Sequence, residues 1–528
     1  MRSFHFPGRS AVYARRAMCA TSHPLATQAA VEMLRSGGNA VDAAITAAAV
    51  LCVVEHPMTG IGGDCFAILA KPGQKLIGLN ASGRAPKAAT ADWYAANGIN
   101  QLQVQSPHAV TVPGAIDGWM TLLADHGTKK PAQVLAPAIA HAEDGFVVAP
   151  RVAADWAVAY EKLRGNKAAT QHCLVEGRVP RVGEVMRFPA LGRTLRRIAD
   201  EGREGFYAGE VAADMVAELT ALGGLHTLDD FAAQRCTYVD PISVAYRGIE
   251  LHELPPSNQG IVALMLLKML EKLGPSAAGA TSPDRYHVIN EAARLAYAAR
   301  DTFVADPDTS KVPVAHLLSD AVISELVGRI DRSKRRADLG PVPRPAGSDT
   351  VCFSVVDEAG MAVSFINSLY ADFGSGLATA KTGVVFHNRG TGFVLDPTHP
   401  NCIGPRKRPM HTLVPAMAMK DGRTHMAFGV MGAAFQPIGH TYLLSNMLDY
   451  GMDLQEAVDC PRTFFEGDDL VIEESVPAAT VAALKDMGHR IRVRPLPWGG
   501  AQAILFDRTN GTLVGASDPR KDGLALGY

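Results

Sequence analysis

Thr350 stands where a proline-rich loop runs abruptly into a β-strand, a place where a hydroxyl can do chemistry on its own chain. Upstream, Gly340-Pro341-Val342-Pro343-Arg344-Pro345-Ala346-Gly347-Ser348-Asp349 suits neither a helix nor a central strand. Downstream, Thr350-Val351-Cys352-Phe353-Ser354-Val355-Val356 is rich in β-branched and aromatic residues. A threonine at that junction can attack the Asp349 carbonyl, cut the Asp349–Thr350 bond and become a new N-terminus. Its freed amine, with an ordinary pKa of about 7.7–8.0, then serves as the base for its own hydroxyl. The plainer reading is a threonine that merely opens a strand.

Acyl transfer also needs donors for the charge that develops on the attacked carbonyl. Two glycine clusters can present backbone N–H groups, Phe373-Gly374-Ser375-Gly376 and Met431-Gly432-Ala433-Ala434, and either can equally be an ordinary turn. Other chemistries find less support. Gly60-Ile61-Gly62-Gly63-Asp64 follows a helix and precedes a strand, the wrong order for a dinucleotide loop, and no Walker lysine is present. The 17 histidines include no His-Glu-x-x-His, and no Cys/His set has zinc spacing. His23, His56 and His440 sit beside helix ends or prolines, where structural roles prevail. No Gly-x-Ser-x-Gly elbow occurs. The expectation is an enzyme with no cofactor and no metal.

The elements that must position these groups follow from periodicity. Ser22 is placed to cap a helix from Pro24, with Gly37-Gly38-Asn39 ending it. Ala40 to Val54 is apolar nearly all round and reads as a buried helix, followed by a strand near Cys65–Leu69. Helical periodicity marks Gln133–Asp144, Val211–Leu222, Ile261–Leu273 and Arg285–Asp301, so the middle of the chain reads as mainly helical. Thr350–Val356 and Met361–Leu369 form a hairpin around Asp357-Glu358-Ala359-Gly360. Strands at Val414–Met419 and Ala501–Phe506 and helices at Gly439–Tyr450 and Ala478–Met487 follow. A layered α/β core fits this mixture better than a helical bundle.

Composition bounds the partners. The 528 residues are 47% hydrophobic and 20% charged, with a formal net charge of −2. That is the balance of an ordinary globular protein without an electrostatic footprint for nucleic acid or membrane. The basic run Arg332-Ser333-Lys334-Arg335-Arg336 reads as a solvated helix end. Eight cysteines, none in CxxC spacing, read as buried thiols. The first 16 residues carry no apolar signal core, and Ala43–Val54 is too short to span a bilayer, so a cytoplasmic location is expected.

The ordered motifs resemble one family. Ser22-His23-Pro24-Leu25-Ala26, Gly37-Gly38-Asn39-Ala40-Val41-Asp42-Ala43-Ala44 and Gly60-Ile61-Gly62-Gly63-Asp64 are similar to the N-terminal signature of γ-glutamyltransferases. Val112-Pro113-Gly114, Pro255-Pro256-Ser257-Asn258-Gln259-Gly260, Glu291-Ala292-Ala293-Arg294-Leu295-Ala296-Tyr297, Thr350 and Gly374-Ser375-Gly376 follow in the family's order. The resemblance implies an N-terminal-nucleophile hydrolase with a four-layer αββα sandwich. It further implies self-cleavage into a large subunit, 1–349, and a small subunit, 350–528, that together form one compact domain, with dimers of this unit an option. Ser368 holds the position of a hydroxyl that orients the nucleophile. Gly432-Ala433 holds the oxyanion position, where Ala433 costs nothing if its φ is negative. The implied chemistry is an acyl-Thr350 intermediate resolved by water or an amine, on glutathione-like γ-glutamyl amides.

Substrate recognition departs from that pattern. Arg84 resembles the arginine that holds the substrate α-carboxylate, the alternative being an arginine paired with a protein carboxylate. Where the family has an acid for the α-ammonium, this sequence has Gly392, with Arg389 nearby. His411-Thr412 replaces Ser-Ser, and Tyr370 replaces Asn. A site that loses an anion and gains a cation should bind an ammonium poorly. Members acting on oxamate or on glutaryl-type monoamides fit such a site, so small carboxylate-amide hydrolysis stands as the alternative to γ-glutamyl hydrolysis or transfer, and the sequence leaves both open. A non-catalytic, carboxylate-binding relative is the alternative of a different class.

Overall fold

Asn39 caps the helix Ala40–Val54 reciprocally. Its side-chain oxygen accepts from the N–H groups of Val41 and Asp42, and Asp42 accepts from the Asn39 N–H. All 15 residues of this helix are buried, as its all-round apolar sequence predicts. It is enclosed by helices Pro24–Arg35 and Pro131–Asp144 and by the strands beneath them.

Those strands belong to one of two antiparallel sheets in this computed structural model, which describes residues 8–337 and 349–528, Asp349 in its backbone only. The first sheet has seven strands in the order Leu524–Gly527, Met18–Thr21, Asp349–Val356, Ala362–Tyr370, Asp64–Ala70, Ile77–Ala81 and Thr237–Val239. The second has Val12–Ala14, Thr512–Ser517, Gly500–Asp507, Arg423–Met431, Pro415–Lys420, Ile249–Glu253 and Ile242–Tyr246. The sheets pack face to face through Met18, Phe66, Cys352, Ile366, Met417 and Ile504. Helices Pro24–Arg35 and Ala40–Val54 cover the outer face of the first sheet. Helices Gly260–Leu273, Pro283–Phe303 and Gln436–Leu448 cover the second. This is the four-layer αββα sandwich. Each sheet mixes strands from both sides of residue 349, so the two parts of the chain share one core.

Several local expectations change. The helix from Pro24 is capped by His23, whose Nδ1 accepts from the Leu25 N–H at 3.3 Å, because the Ser22 hydroxyl donates instead to Glu55. The basic run is solvated, with Arg332, Ser333 and Lys334 exposed, but it lies beyond the helix rather than at its end. The preceding helix stops at Gly328, Arg332 pairs with Asp284 at 3.1 Å, Arg335 with Asp468 at 3.2 Å, and the Arg336 N–H donates to Glu291 at 3.0 Å. The helical middle also contributes the edge strands Thr237–Val239 and Ile242–Tyr246 and the strand Ile249–Glu253 next to the latter. The eight cysteines are unpaired, with Cys236 and Cys402 partly exposed and the others buried. The loop read at 340–348 lies outside the described residues. Among those described, no helix is long and apolar enough to cross a membrane.

Candidate active site

Thr350 lies on the third strand of the first sheet and is buried. Asp349 faces Tyr370 and Val351 faces Asn367, and the register irregularity between them turns Thr350 toward Ser368. Thr350 Oγ1 lies 3.1 Å from Ser368 Oγ, which accepts from the Tyr370 N–H at 2.8 Å. The two hydroxyls are therefore held by the ladder of the hairpin itself. Behind them the turn at Gly60–Gly63 presses on the strand. A Cβ on Gly63 would stand 2.2 Å from the Ser368 carbonyl oxygen, so only glycine allows the approach. Asn367 locks the same turn, donating to Thr59 Oγ1 at 2.8 Å and accepting from Trp119 Nε1 at 3.2 Å.

Ser368 pairs in register with Asp64, a fully buried carboxylate. Asp64 Oδ1 accepts from the N–H groups of Gly83 at 2.8 Å and Gly114 at 3.1 Å, and Oδ2 accepts from His411 Nε2 at 3.0 Å. Burial alone would raise its pKa, but His387 and His411 hold it well below the carboxylate range. His411 is itself pulled down to about 3, by burial first and then by Arg389. It is neutral, with Nδ1 accepting from the Leu413 N–H at 3.2 Å and the proton on Nε2.

Tyr370, Arg389, His411 and Thr412 lie together as one wall. Arg389 Nη1 donates to Thr412 Oγ1 at 2.7 Å, and its guanidinium carbon lies 4.0 Å from the centre of the Tyr370 ring. Burial lowers the Arg389 pKa to about 10, opposed by Tyr370 and Asp64, which leaves it a cation at neutral pH. No carboxylate stands at Gly392, and the neighbouring acid Asp301 is bound by Arg300 at 2.6 Å. Tyr370 has a φ of +82°, a left-handed conformation that costs about 1–3 kcal/mol for such a residue.

The two glycine clusters separate in this structure. The N–H groups of Gly374, Ser375 and Gly376 donate to the carbonyls of Ala371, Phe386 and Phe373 at 2.6, 2.9 and 2.8 Å. That cluster is a folded turn with its donors in use, and it offers nothing to an oxyanion. The Gly432-Ala433 turn ends the central strand Arg423–Met431 of the second sheet and is braced by distant residues. Gln259 donates from Nε2 to the carbonyls of Ala433 and Thr412, both at 2.8 Å, and Tyr297 donates to the Ala434 carbonyl. Ala433 has a φ of +49°, so the condition under which it would cost nothing is not met, and its Cβ carries left-handed strain of about 1–2 kcal/mol.

Arg84 is partly exposed, with its guanidinium held by protein groups. Nη2 lies 3.1 Å from Asp308 Oδ2, Nη1 donates to the Arg406 carbonyl at 3.0 Å, and Asp306 lies 3.7 Å away. This is the pairing with a protein carboxylate that stood as the alternative for this residue.

Three supporting residues escaped attention as site residues: Asp64, Gln259 and Tyr297. Each sits in a motif visible in the sequence, the glycine turn ending in Asp64, Pro255–Gly260 and Glu291–Tyr297. Their partners at 411, 433 and 434 are far away along the chain, so no local pattern exposes the role.

A buried hydroxyl pair on two adjacent inner strands of an αββα sandwich fits the amide-cleaving N-terminal-nucleophile hydrolases. The sequence profile described as Gamma-glutamyltranspeptidase matches residues 26–528. A glutathione hydrolase-like proenzyme of Bacillus subtilis is 37% identical, covering 98% of this chain and 99% of its own. An oxamate amidohydrolase proenzyme of Klebsiella pneumoniae is also 37% identical, over 97% of this chain and 98% of its own. The crystal structure of a cephalosporin acylase from Bacillus halodurans superposes with a TM-score of 0.92 at 38% identity, covering 100% of this chain and 99% of its own. The chain belongs to the γ-glutamyltranspeptidase family and is an amidohydrolase or acyltransferase of the N-terminal-nucleophile type.

Proposed function

We propose that this chain cuts its own Asp349–Thr350 bond and then hydrolyses, or transfers to an amine, the acyl part of a small amide that carries a carboxylate. The observation that carries this is the 3.1 Å contact between the buried hydroxyls of Thr350 and Ser368. Thr350 Oγ attacks the Asp349 carbonyl carbon, the C–N bond breaks, and the released amine takes up the proton that the hydroxyl loses. Water then opens the ester, leaving residues 1–349 with a new carboxylate and residues 350–528 with a new α-amine. The two fragments remain one unit because both sheets contain hydrogen-bonded strands from each of them.

In turnover the α-amine accepts the Thr350 hydroxyl proton as the substrate carbonyl is attacked and returns it to the leaving amine. Ser368 orients the hydroxyl, and the Gly432-Ala433 turn receives the oxyanion. The acyl part needs no α-ammonium, since the wall presents Arg389 and no free acid. The relatives point the same way, as they include an oxamate amidohydrolase and a cephalosporin acylase. γ-Glutamyl cleavage is the second reading, and the match over residues 26–528 favours it.

A panel of oxamate, glutaryl-p-nitroanilide and γ-glutamyl-p-nitroanilide decides between them, with ammonia and amine release measured separately. Faster turnover of oxamate or the glutaryl anilide is expected. A large preference for the γ-glutamyl compound would reject the first reading.

A further inference from the structure

Arg389 is a buried cation whose hydrogen bonding is incomplete. It is 1% exposed, and its Nη1 donates to Thr412, yet Nε and Nη2 have no hydrogen-bond partner among the described residues. Those two nitrogens form the edge of a guanidinium that donates two parallel bonds, the edge that fits a carboxylate. A buried charge in that state is costly unless something completes it.

Among the described residues, the carboxylates around this site are already engaged. Asp64 accepts from Gly83, Gly114 and His411, Asp301 is bound by Arg300, and Asp306 and Asp308 face Arg84. The open edge is also close to the chemistry by a short chain of contacts. Arg389 stacks on Tyr370, the Tyr370 N–H donates to Ser368 Oγ, and Ser368 Oγ touches Thr350 Oγ1. Tyr370 of this stack and Asn388, the chain neighbour of Arg389, line a cavity of about 440 Å³ whose other walls include Leu102, Val104 and Phe393. Tyr370 is only 5% exposed and strained at a φ of +82°, and in the intact chain it pairs with Asp349.

We propose that the Nε/Nη2 edge of Arg389 receives the carboxylate of a short dicarboxylic monoamide, with Tyr370 as the movable partition between that edge and the cavity. The proposal rests on Thr350 being the nucleophile and names what the acyl-enzyme recognises. Cutting the Asp349–Thr350 bond removes the strand partner of Tyr370, which allows the ring to turn from the guanidinium. Arg84 plays no part in this anchor, because its own edge is bound to Asp308 and Arg406.

The test compares glutaryl-p-nitroanilide with the neutral valeryl-p-nitroanilide on enzyme whose two fragments have been verified on a denaturing gel. Arg389→Met should lower kcat/KM for the glutaryl substrate by about 30-fold or more while leaving the valeryl substrate within about threefold. Arg389→Lys, which keeps the charge and loses the fork, should fall between. Arg84→Met should retain the glutaryl preference. The proposal is overturned if that preference survives both Arg389 variants in cleaved enzyme, or disappears in Arg84→Met. Should neither Arg389 variant cleave, glutarate and valerate are compared as inhibitors of valeryl turnover by wild-type and Arg84→Met enzyme. Stronger inhibition by glutarate in both supports the anchor, and its loss in Arg84→Met overturns it. Absence of fragments in the wild-type protein would instead reject the Thr350 reading on which the anchor depends.

Discussion

The hairpin that carries Thr350 and Ser368 and the wall formed by Tyr370, Arg389, His411 and Thr412 are joined at one residue but held together differently. The hairpin is fixed by backbone pairing, so its two hydroxyls meet because the strand register brings them together. The wall is fixed by side chains from distant segments, a guanidinium on an aromatic ring, a threonine hydroxyl and a histidine tied to Asp64. Register is hard to change without losing the sheet, whereas single side chains can be exchanged one at a time. On the proposed reading, reactivity is therefore set in the hairpin, and selectivity in the wall.

Changes in the hairpin should affect all substrates alike. Thr350→Ala has the largest expected effect, a single intact band on a denaturing gel and activity reduced by at least about a thousandfold on every amide. Ser368→Ala should come next, slowing both self-cleavage and turnover by about a hundredfold with unchanged substrate ranking, since it loosens the position of the nucleophile. A Ser368 variant that altered the ranking instead would erase the distinction between the two regions.

Glu55 sharpens the comparison from outside both. It is fully buried, accepts from Ser22 beside the strand Met18–Thr21, and burial raises its pKa from 4.5 to about 7 against the pull of Lys521. Between those values the folded state binds more protons than the unfolded one, so its contribution to stability falls as pH rises through that window. Glu55→Gln should be more stable than wild type at pH 8 by about 3 kcal/mol, with the difference vanishing below about pH 4.5. Chemical denaturation at the two pH values checks this, and the substrate ranking should not move. Ala433→Gly should have the smallest effect, stabilising the chain by about 1 kcal/mol through relief of the positive φ, read as a rise in Tm.

The sequence carried the hairpin well, because its signals are local. Proline-rich punctuation, a β-branched run and a four-residue turn mark Thr350–Leu369, and the buried helix Ala40–Val54 announces itself by composition. Long-range partners were the obstacle elsewhere. Ser22 has the right chemistry for a cap, yet Glu55 takes its hydroxyl. Arg332, Arg335 and Arg336 belong to a largely exposed run, and their partners Asp284, Asp468 and Glu291 come from distant segments. Thr237–Val239 and Ile242–Tyr246 are short, partly exposed edge strands whose apolar alternation is too weak to stand out. Arg84 and Arg389 show the limit most clearly. Both are arginines at positions suggestive of substrate binding, and only three-dimensional neighbours distinguish a guanidinium engaged by Asp308 from one with an open edge.

N-terminal sequencing and intact mass of the purified protein, before and after incubation with a carboxylate-bearing amide, test the central claim most directly. The account predicts a small fragment beginning Thr350-Val351-Cys352 that gains the acyl mass on its first residue. A single uncut chain, or a fragment beginning at any other residue, would contradict it.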